Sequence, residues 1–190
     1  MIILLKTTGD RPEMLAEAVA AWERVADAEL RIVGGREPRG GGITRGYQDV
    51  EDDEIAVQVC DDTVPLFTDL EGALEMYQRR EQPAPRFLRI DGTPWASYDG
   101  NPDGSPATWT RLPMASGRLH REIGPMLATT NFTDFDYSER LSLAGWKIRL
   151  CHAFSFTHLD GSHSWQNPEL DAHELALYRE AHAAREASSL

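Results

Sequence analysis

The chain is poor in cysteine, in basic residues and in long apolar runs. Its two cysteines, Cys60 and Cys151, lie in apolar segments of strand character, which reads as two buried free thiols. That leaves no disulfide framework and no cysteine-based zinc cluster. No apolar stretch approaches the ~20 residues that a membrane-spanning helix needs. The opening Met1-Ile2-Ile3-Leu4-Leu5-Lys6 is too short for a signal-peptide apolar region and carries no cleavage site, so the expected compartment is the cytoplasm. Asn131-Phe132-Thr133 matches a glycosylation sequon, which has no meaning without export. Lys and Arg number 19 against 31 Asp and Glu, a net charge of -12. A surface that acidic excludes binding to a nucleic-acid backbone by bulk electrostatics and reads first as a device for solubility. It still admits one phosphate-bearing ligand in a local pocket, with a divalent metal to neutralise the site. There is no internal repeat and no low-complexity block.

What is present is a pattern of alternating strands and helices. With 190 residues the chain is long enough for one domain with a real core. Residues 2–5 form an apolar run that predicts a buried strand. A loop follows, Thr7-Thr8-Gly9-Asp10-Arg11-Pro12, with Pro12 suited to a first helical turn. Met14, Leu15, Ala18, Val19, Trp22 and Val25 then recur at helical spacing. Strands are predicted over 30–33 and 55–60, with residues 34–42, rich in Gly, Pro and Arg, as a loop between them. Thr68-Asp69-Leu70-Glu71 has the form of a capping box opening a helix to about residue 80. Residues 81–114 carry many prolines and glycines and are expected to be irregular, with short strands around 86–90 and 95–98. A short helix is expected over 118–123, a strand over 147–156, and a charged helix over 167–187 with Leu170, Leu177, Tyr178 and Ala181 on one side. Alternation of this kind predicts an α/β fold, whose ligands sit beyond the carboxyl ends of the strands. Thr7 and Asp61 fall at such ends.

Two acidic motifs carry the chemistry. Asp61-Asp62 follows the apolar run 55–60. Asp134 and Asp136 open a short amphipathic helix that ends at Gly145. The plain readings are a turn after a strand for the first pair and first-turn capping for the second. Together, however, an acidic pair at a strand end and a carboxylate at a helix start are the equipment of a metal site and a base, and so of group transfer from a diphosphate. Asp62 is the candidate ligand for Mn2+ or Mg2+, hard ions that take oxygen donors. Asp61 would assist through a ribose hydroxyl or a metal-bound water. His158, after a strand and ahead of Gly161-Ser162, is a second candidate metal ligand; a packed histidine is the plainer alternative. Arg45 is either a solvated charge or a diphosphate contact. Gly40-Gly41-Gly42 reads as a connection rather than a phosphate cradle. Trp95 and Trp109 are candidates for a sugar or acceptor pocket, with core packing the plainer role for at least one.

Taken in order, these pieces resemble the family-2-type glycosyltransferases of GT-A fold. The resemblance is carried by 6–15, by Val59-Cys60-Asp61-Asp62-Thr63-Val64-Pro65, by Arg121-Glu122-Ile123-Gly124, by Asp134-Phe135-Asp136 with Arg140 and Ala144-Gly145-Trp146, and by His158-Leu159-Asp160-Gly161-Ser162. It implies a single GT-A-like domain over residues 1–165, with a mixed central sheet flanked by helices. Residues 166–190 would then be a C-terminal helix packed on that domain or on a partner such as a second copy. It also implies an inverting, metal-dependent transfer from a UDP- or GDP-type sugar to the hydroxyl of a glycan, protein or small-molecule acceptor. In that reading Thr7 and Thr8 touch the nucleotide, Asp134 is the base with Asp136 as runner-up, and Asp62 and His158 hold the ion. The chain departs from the family where Gly34-Gly35 replace an acidic pair after the second strand and Thr133 replaces a common Glu. Two other classes remain open. One is a non-catalytic binding module of the same fold. The other is an iron oxygenase, from the His158-Leu159-Asp160 spacing.

Overall fold

The computed structural model describes residues 1–25, 28–93, 110–111, 113–159 and 168–188. Strand β1 (Ile2–Thr7) is buried along its whole length, as befits a central parallel strand covered on both faces. It pairs in parallel with β2 (Glu29–Gly34) on one side and with β3 (Ile55–Cys60) on the other. Helix α1 (Pro12–Trp22) makes the first crossover, with Pro12 in its first turn as the sequence predicts. The second crossover is α2 (Arg39–Gly46) followed by one 3₁₀ turn, Tyr47–Asp49.

A second, smaller sheet is built from β4 (Thr63–Thr68), β5 (Glu81–Leu88) and β7 (Lys147–His158), in the order β4-β7-β5. Helix α3 (Leu70–Gln78) joins β4 to β5. Strand β6 (Met114–Ser116) closes the first sheet as β2-β1-β3-β6, antiparallel to β3. The mixed sheet is therefore two sheets. Gln82 stitches them: its fully buried amide donates to the Met114 carbonyl (2.8 Å) and accepts from the Met114 N–H (3.1 Å). Trp22, Phe87, Phe154 and Phe156 fill the core beside these sheets. The Trp22 indole N–H donates to the Thr63 carbonyl at 2.9 Å, so the largest core side chain is also satisfied. Helices α4 (Gly117–Ile123) and α5 (Thr133–Leu143) follow. Gly145, at φ 84°, ends α5 as expected, and the chain finishes in α6 (Pro168–Ser188).

Three expectations are corrected. The stretch 34–42 is not all loop, because α2 begins at Arg39. Glycine disfavours a helix by ~1 kcal/mol per residue relative to alanine, so composition hides it. Tertiary contact explains the glycines: a Cβ on Gly40 would overlap the Leu127 carbonyl oxygen, and one on Gly42 would overlap the Lys6 side chain. Strand β5 starts at Glu81, not near residue 86, and contains Pro83 and Pro85; it is an edge strand, where a missing N–H is tolerated. The cap of α3 is Asp69, whose carboxylate accepts from the Gly72 N–H at 2.8 Å, one residue later than the capping box predicts. Strand β4, interrupted in pattern by Pro65, was not foreshadowed.

Residues 40 and 41 provide a contrast. Gly40→Ala is expected to destabilise by ~1–3 kcal/mol through overpacking against backbone. Gly41→Ala meets nothing nearer than Glu37 Cγ at 3.6 Å and is expected to be neutral or stabilising. Urea midpoints of the two variants check this; equal changes in the two would mean that close approach is not what demands glycine at residue 40.

His120, nearly buried, stacks on Tyr47 at 4.0 Å between centroids, with Nδ1 3.3 Å from the Tyr137 hydroxyl. Burial, aided by Arg140 and Arg121, pushes its pKa down to about 4. An unfolded histidine titrates near 6.5, so between those values the unfolded chain binds the extra proton. The stabilisation is complete above pH ~6.5 and is lost as pH falls toward 4, by at most ~3 kcal/mol. His120→Phe is expected to flatten the fall in urea stability between pH 6.5 and 4.5; an unchanged slope would rule this histidine out as its source.

Candidate functional site

A cavity of about 250 Å³ opens at the carboxyl ends of β1, β2 and β3, where an open α/β sheet places its ligands. The β1–β3 ladder continues one bond past the strands, with the Asp61 N–H donating to the Lys6 carbonyl at 3.1 Å. This brings Asp61 beside Thr7, whose hydroxyl donates to Asp61 Oδ2 at 2.6 Å. Arg11, entering α1, donates from Nη2 to Asp61 Oδ1, also at 2.6 Å. Burial pushes the Asp61 carboxyl up, while the Thr7 hydrogen bond and the Arg11 charge oppose the rise.

Asp62 is fixed differently. Its carbonyl accepts from the Leu159 N–H at 2.8 Å, and β4 pairs Thr63 with His158 at the end of β7. That pairing delivers the imidazole to the carboxylate: His158 Nε2 lies 3.6 Å from Asp62 Oδ2. The same oxygen lies 3.5 Å from Arg11 Nη1.

On the opposite wall, Asp134 sits in the first turn of α5 and is almost fully buried. Arg39, the first residue of α2, grips it through Nη1 to Oδ2 and Nη2 to Oδ1, both 2.7 Å, and also donates to the Arg111 carbonyl. Burial works against the Arg39 charge, but Asp134 outweighs it and holds the guanidinium above its ordinary value. Burial likewise pushes the Asp134 carboxyl up, opposed by Arg39 and Arg111. Arg111 is pushed down to about 10 by burial and stays charged at neutral pH. Helix α6 supplies the last wall. Glu174, 2% exposed, accepts from the Thr130 and Asn131 N–H groups at 2.7 and 2.8 Å, and Leu170 lies beside it on the cavity.

Thr7, Thr8, Asp61, Asp62, Asp134 and His158 all line this cavity. Arg45 and Asp136 do not. Arg45 points to the outside of α2, donating to the Gly34 carbonyl and to Glu37. Asp136 is buried under Arg140 and Arg185, each at 2.7 Å. Trp95 and Trp109 lie outside the described residues, as does Asp160, the carboxylate of the oxygenase reading. Sequence reasoning did not single out Lys6, Arg39, Arg111 and Glu174. Glu174 had a signal: it falls on the same helical stripe as Leu170, Leu177, Tyr178 and Ala181, a position where a carboxylate must be satisfied by the protein. Cys60 also borders the cavity, half-buried, with its thiol pushed up to about 12 by burial, so it is no nucleophile.

Lys6, Arg11, Arg36, Arg39 and Arg111 converge here, in a chain of net charge -12. Glu37, Asp61, Asp62, Asp134 and Glu174 line the same cavity, so its charges balance, and the basic side chains offer an anionic ligand local partners without a net positive lining. Among the described residues no group of three or more His, Cys, Asp or Glu side chains is placed to hold a metal ion. The Asp62 oxygen and the His158 nitrogen, 3.6 Å apart, suit two neighbouring positions on a hard ion. Such ions commonly take their remaining ligands from substrate phosphate and water.

No family model and no curated protein matches the chain. Solved structures do. A mannosyltransferase, PcManGT from Pyrobaculum calidifontis in complex with GDP-Man and Mn2+, matches with TM-score 0.60 and 13% identity, over 97% of this chain and 64% of its own. GalNAc-T7 with UDP, GalNAc and Mn2+ matches at 0.53 and 11%, over 83% of this chain and 43% of its own. A197 from STIV matches at 0.56 and 10%, over 83% and 84%. The chain therefore spans less than two thirds of the two transferases' own lengths. At these identities the likeness is one of fold, and the fold is that of GT-A-like nucleotide-sugar glycosyltransferases.

Proposed function

We propose that the chain is a metal-dependent glycosyltransferase that moves a sugar from a UDP- or GDP-type donor to an acceptor hydroxyl with inversion. The observation that carries this reading is the convergence of the Asp62–His158 pair and the Asp134–Arg39 pair on one cavity at the strand ends. Asp62 and His158 would hold Mn2+ or Mg2+, which would offset the charge growing on the departing diphosphate. Thr7 and Thr8 would contact the nucleoside, and Asp61, fixed by Thr7 and Arg11, would orient the ribose or a water. Asp134 would take the acceptor proton as the acceptor oxygen bonds to the anomeric carbon. The bond from that carbon to the diphosphate oxygen breaks with its electron pair leaving on the diphosphate. Burial raises the basicity of Asp134, and Arg39 keeps it ionised before the proton arrives, which is what a general base requires. Placement of the reactants and fixed charges would supply most of the rate. The compartment we assign is the cytoplasm; among the described residues no helix is long and apolar enough to cross a membrane. A binding module without turnover is the second reading; Arg39 favours it by holding Asp134 in a close ion pair and taking a hydrogen bond to Oδ2.

A nucleoside diphosphate is expected to bind more tightly with Mn2+ or Mg2+ than with chelator, and Asp62→Ala is expected to abolish that gain while melting normally. Calorimetry giving equal wild-type affinities with metal and with chelator would overturn the metal assignment.

Asp134→Asn is expected to lower sugar transfer by ~10²–10⁴-fold, the usual worth of base assistance, with little change in donor affinity. Lost turnover with retained binding marks a group needed only in the transition state. Because the variant weakens the buried pair with Arg39, a lower melting temperature is expected under either role, and a purely structural role is marked by turnover preserved in the folded fraction. Transfer surviving in Asp134→Asn but vanishing in Asp136→Asn would move the base to Asp136.

A further inference from the structure

Arg11 has so far only the part of fixing Asp61, yet it stands at the centre of the acidic pair. Its guanidinium fork reaches both carboxylates: Nη2 to Asp61 Oδ1 at 2.6 Å, and Nη1 to Asp62 Oδ2 at 3.5 Å. Its remaining ionic neighbour is Asp10, at 4.0 Å and well exposed. The two arms are unequal. The Asp61 arm is a short hydrogen bond to a carboxylate that is 1% exposed and also bonded to Thr7. The Asp62 arm is long, and the oxygen it approaches is the one that faces His158. One carboxylate oxygen thus lies between a guanidinium and an imidazole, and the seat of a divalent cation coincides with the reach of a resident monovalent one.

We propose that Arg11 is the counter-cation of the acidic pair and is shared between two partners. Without a divalent ion its Nη1 arm neutralises Asp62. With the ion held by Asp62 and His158, that arm turns from Asp62 to the donor diphosphate, while the Asp61 arm keeps the side chain in place. Arg11 is then a positioning residue that opposes the metal alone and supports the nucleotide bound with it. The fork makes this possible: a planar guanidinium can keep one hydrogen bond while offering its other edge to a phosphate, which a point-charge ammonium cannot do in the same geometry. The nucleotide half of the inference rests on the reading of the cavity as a donor site; the metal half does not.

The test measures two affinities on one variant, with binding as the readout. Mn2+ alone, titrated by calorimetry or by the loss of its free-ion spin-resonance signal, is expected to bind Arg11→Met about 3- to 10-fold more tightly than wild type, since a competing cation has been removed. UDP or GDP at saturating Mn2+ is expected to bind the same variant about 10-fold more weakly, since a charge-assisted phosphate contact is lost. Arg11→Lys keeps the charge without the fork; it is expected to retain wild-type Mn2+ affinity and to recover only part of the nucleotide affinity. Opposite signs for the two ligands support the proposal. A merely structural role, in which Arg11 only shapes the Asp61–Asp62 turn, would weaken both ligands in Arg11→Met and overturns it, as would Mn2+ affinity that does not change. If wild type binds Mn2+ but neither nucleoside diphosphate, the donor-site reading fails and takes the nucleotide half with it, while the Mn2+ comparison still decides the metal half.

Discussion

The bond between Arg39 and Asp134 is the constraint from which the site follows. Burying a guanidinium and a carboxylate is expensive in desolvation, and a pair of this kind holds only when its geometry is good and its remaining donors are used. The first is met in distance and the second in part: Nη1 donates to Oδ2, Nη2 stands 2.7 Å from Oδ1 and also reaches the Arg111 carbonyl, while Nε finds no hydrogen-bond partner among the described residues. The pair ties the first residue of α2 to the first turn of α5, 95 residues apart in a chain of 190. Gly40, the next residue, fits against the Leu127 carbonyl because it has no side chain, and its N–H donates to the Thr129 carbonyl at 3.1 Å. Ion pair and close approach therefore fix one seam. Along it the segment before α5 is drawn toward the strand ends, where the cavity opens.

The same seam resolves an apparent contradiction in charge. A chain of net charge -12 is a poor host for a diphosphate if its charges act at long range. At physiological salt they do not, because screening acts over ~8 Å, and the cavity is furnished locally. Its acids are committed to partners within the protein: Asp61 to Thr7 and Arg11, Asp134 to Arg39, and Glu174 to two backbone N–H groups. Committed carboxylates repel an incoming anion less than bare ones. The acidic exterior and the cavity, whose basic side chains offset its acids, act on different length scales.

The parts of this arrangement legible in the sequence are those written in local pattern. Apolar runs show β1 and β3, helical spacing shows α1, and a carboxylate after a strand or at a helix start marks Asp61, Asp62 and Asp134. The parts that stayed hidden depend on contacts across the chain. Helix α2 hides because Gly40 and Gly42 answer to Leu127 and Lys6 rather than to helix propensity. Strand β4 hides because Pro65 breaks its pattern, although its pairing with β7 is what carries His158 to Asp62. The two sheets are joined by the buried amide of Gln82, which no periodicity announces. Arg45 and Arg39 lie on the same short helix, and only the direction of their side chains separates a surface charge from a wall of the cavity.

Helix α6 shows how a segment that reads as an accessory becomes part of the site. Its apolar contribution is small, with Tyr178 stacked on Phe132 at 5.7 Å between centroids. The rest of its seat is polar. Glu174 holds the 130–131 backbone, Asp171 accepts from the Asn131 amide, Arg185 reaches Asp136 and Glu139, and His182 pairs with Glu139. Apolar burial is largely indifferent to orientation. Directed hydrogen bonds to fixed backbone N–H groups are not, because a small rotation leaves a buried carboxylate unsatisfied. A helix seated in this way is held in one azimuth. That azimuth aims Leu170 and Glu174 at the cavity, and it braces the 130–131 segment leading directly into the turn that carries Asp134. The polar character of the α6 interface follows from its place at the site, since a wall that only had to cover the core would have no need of it.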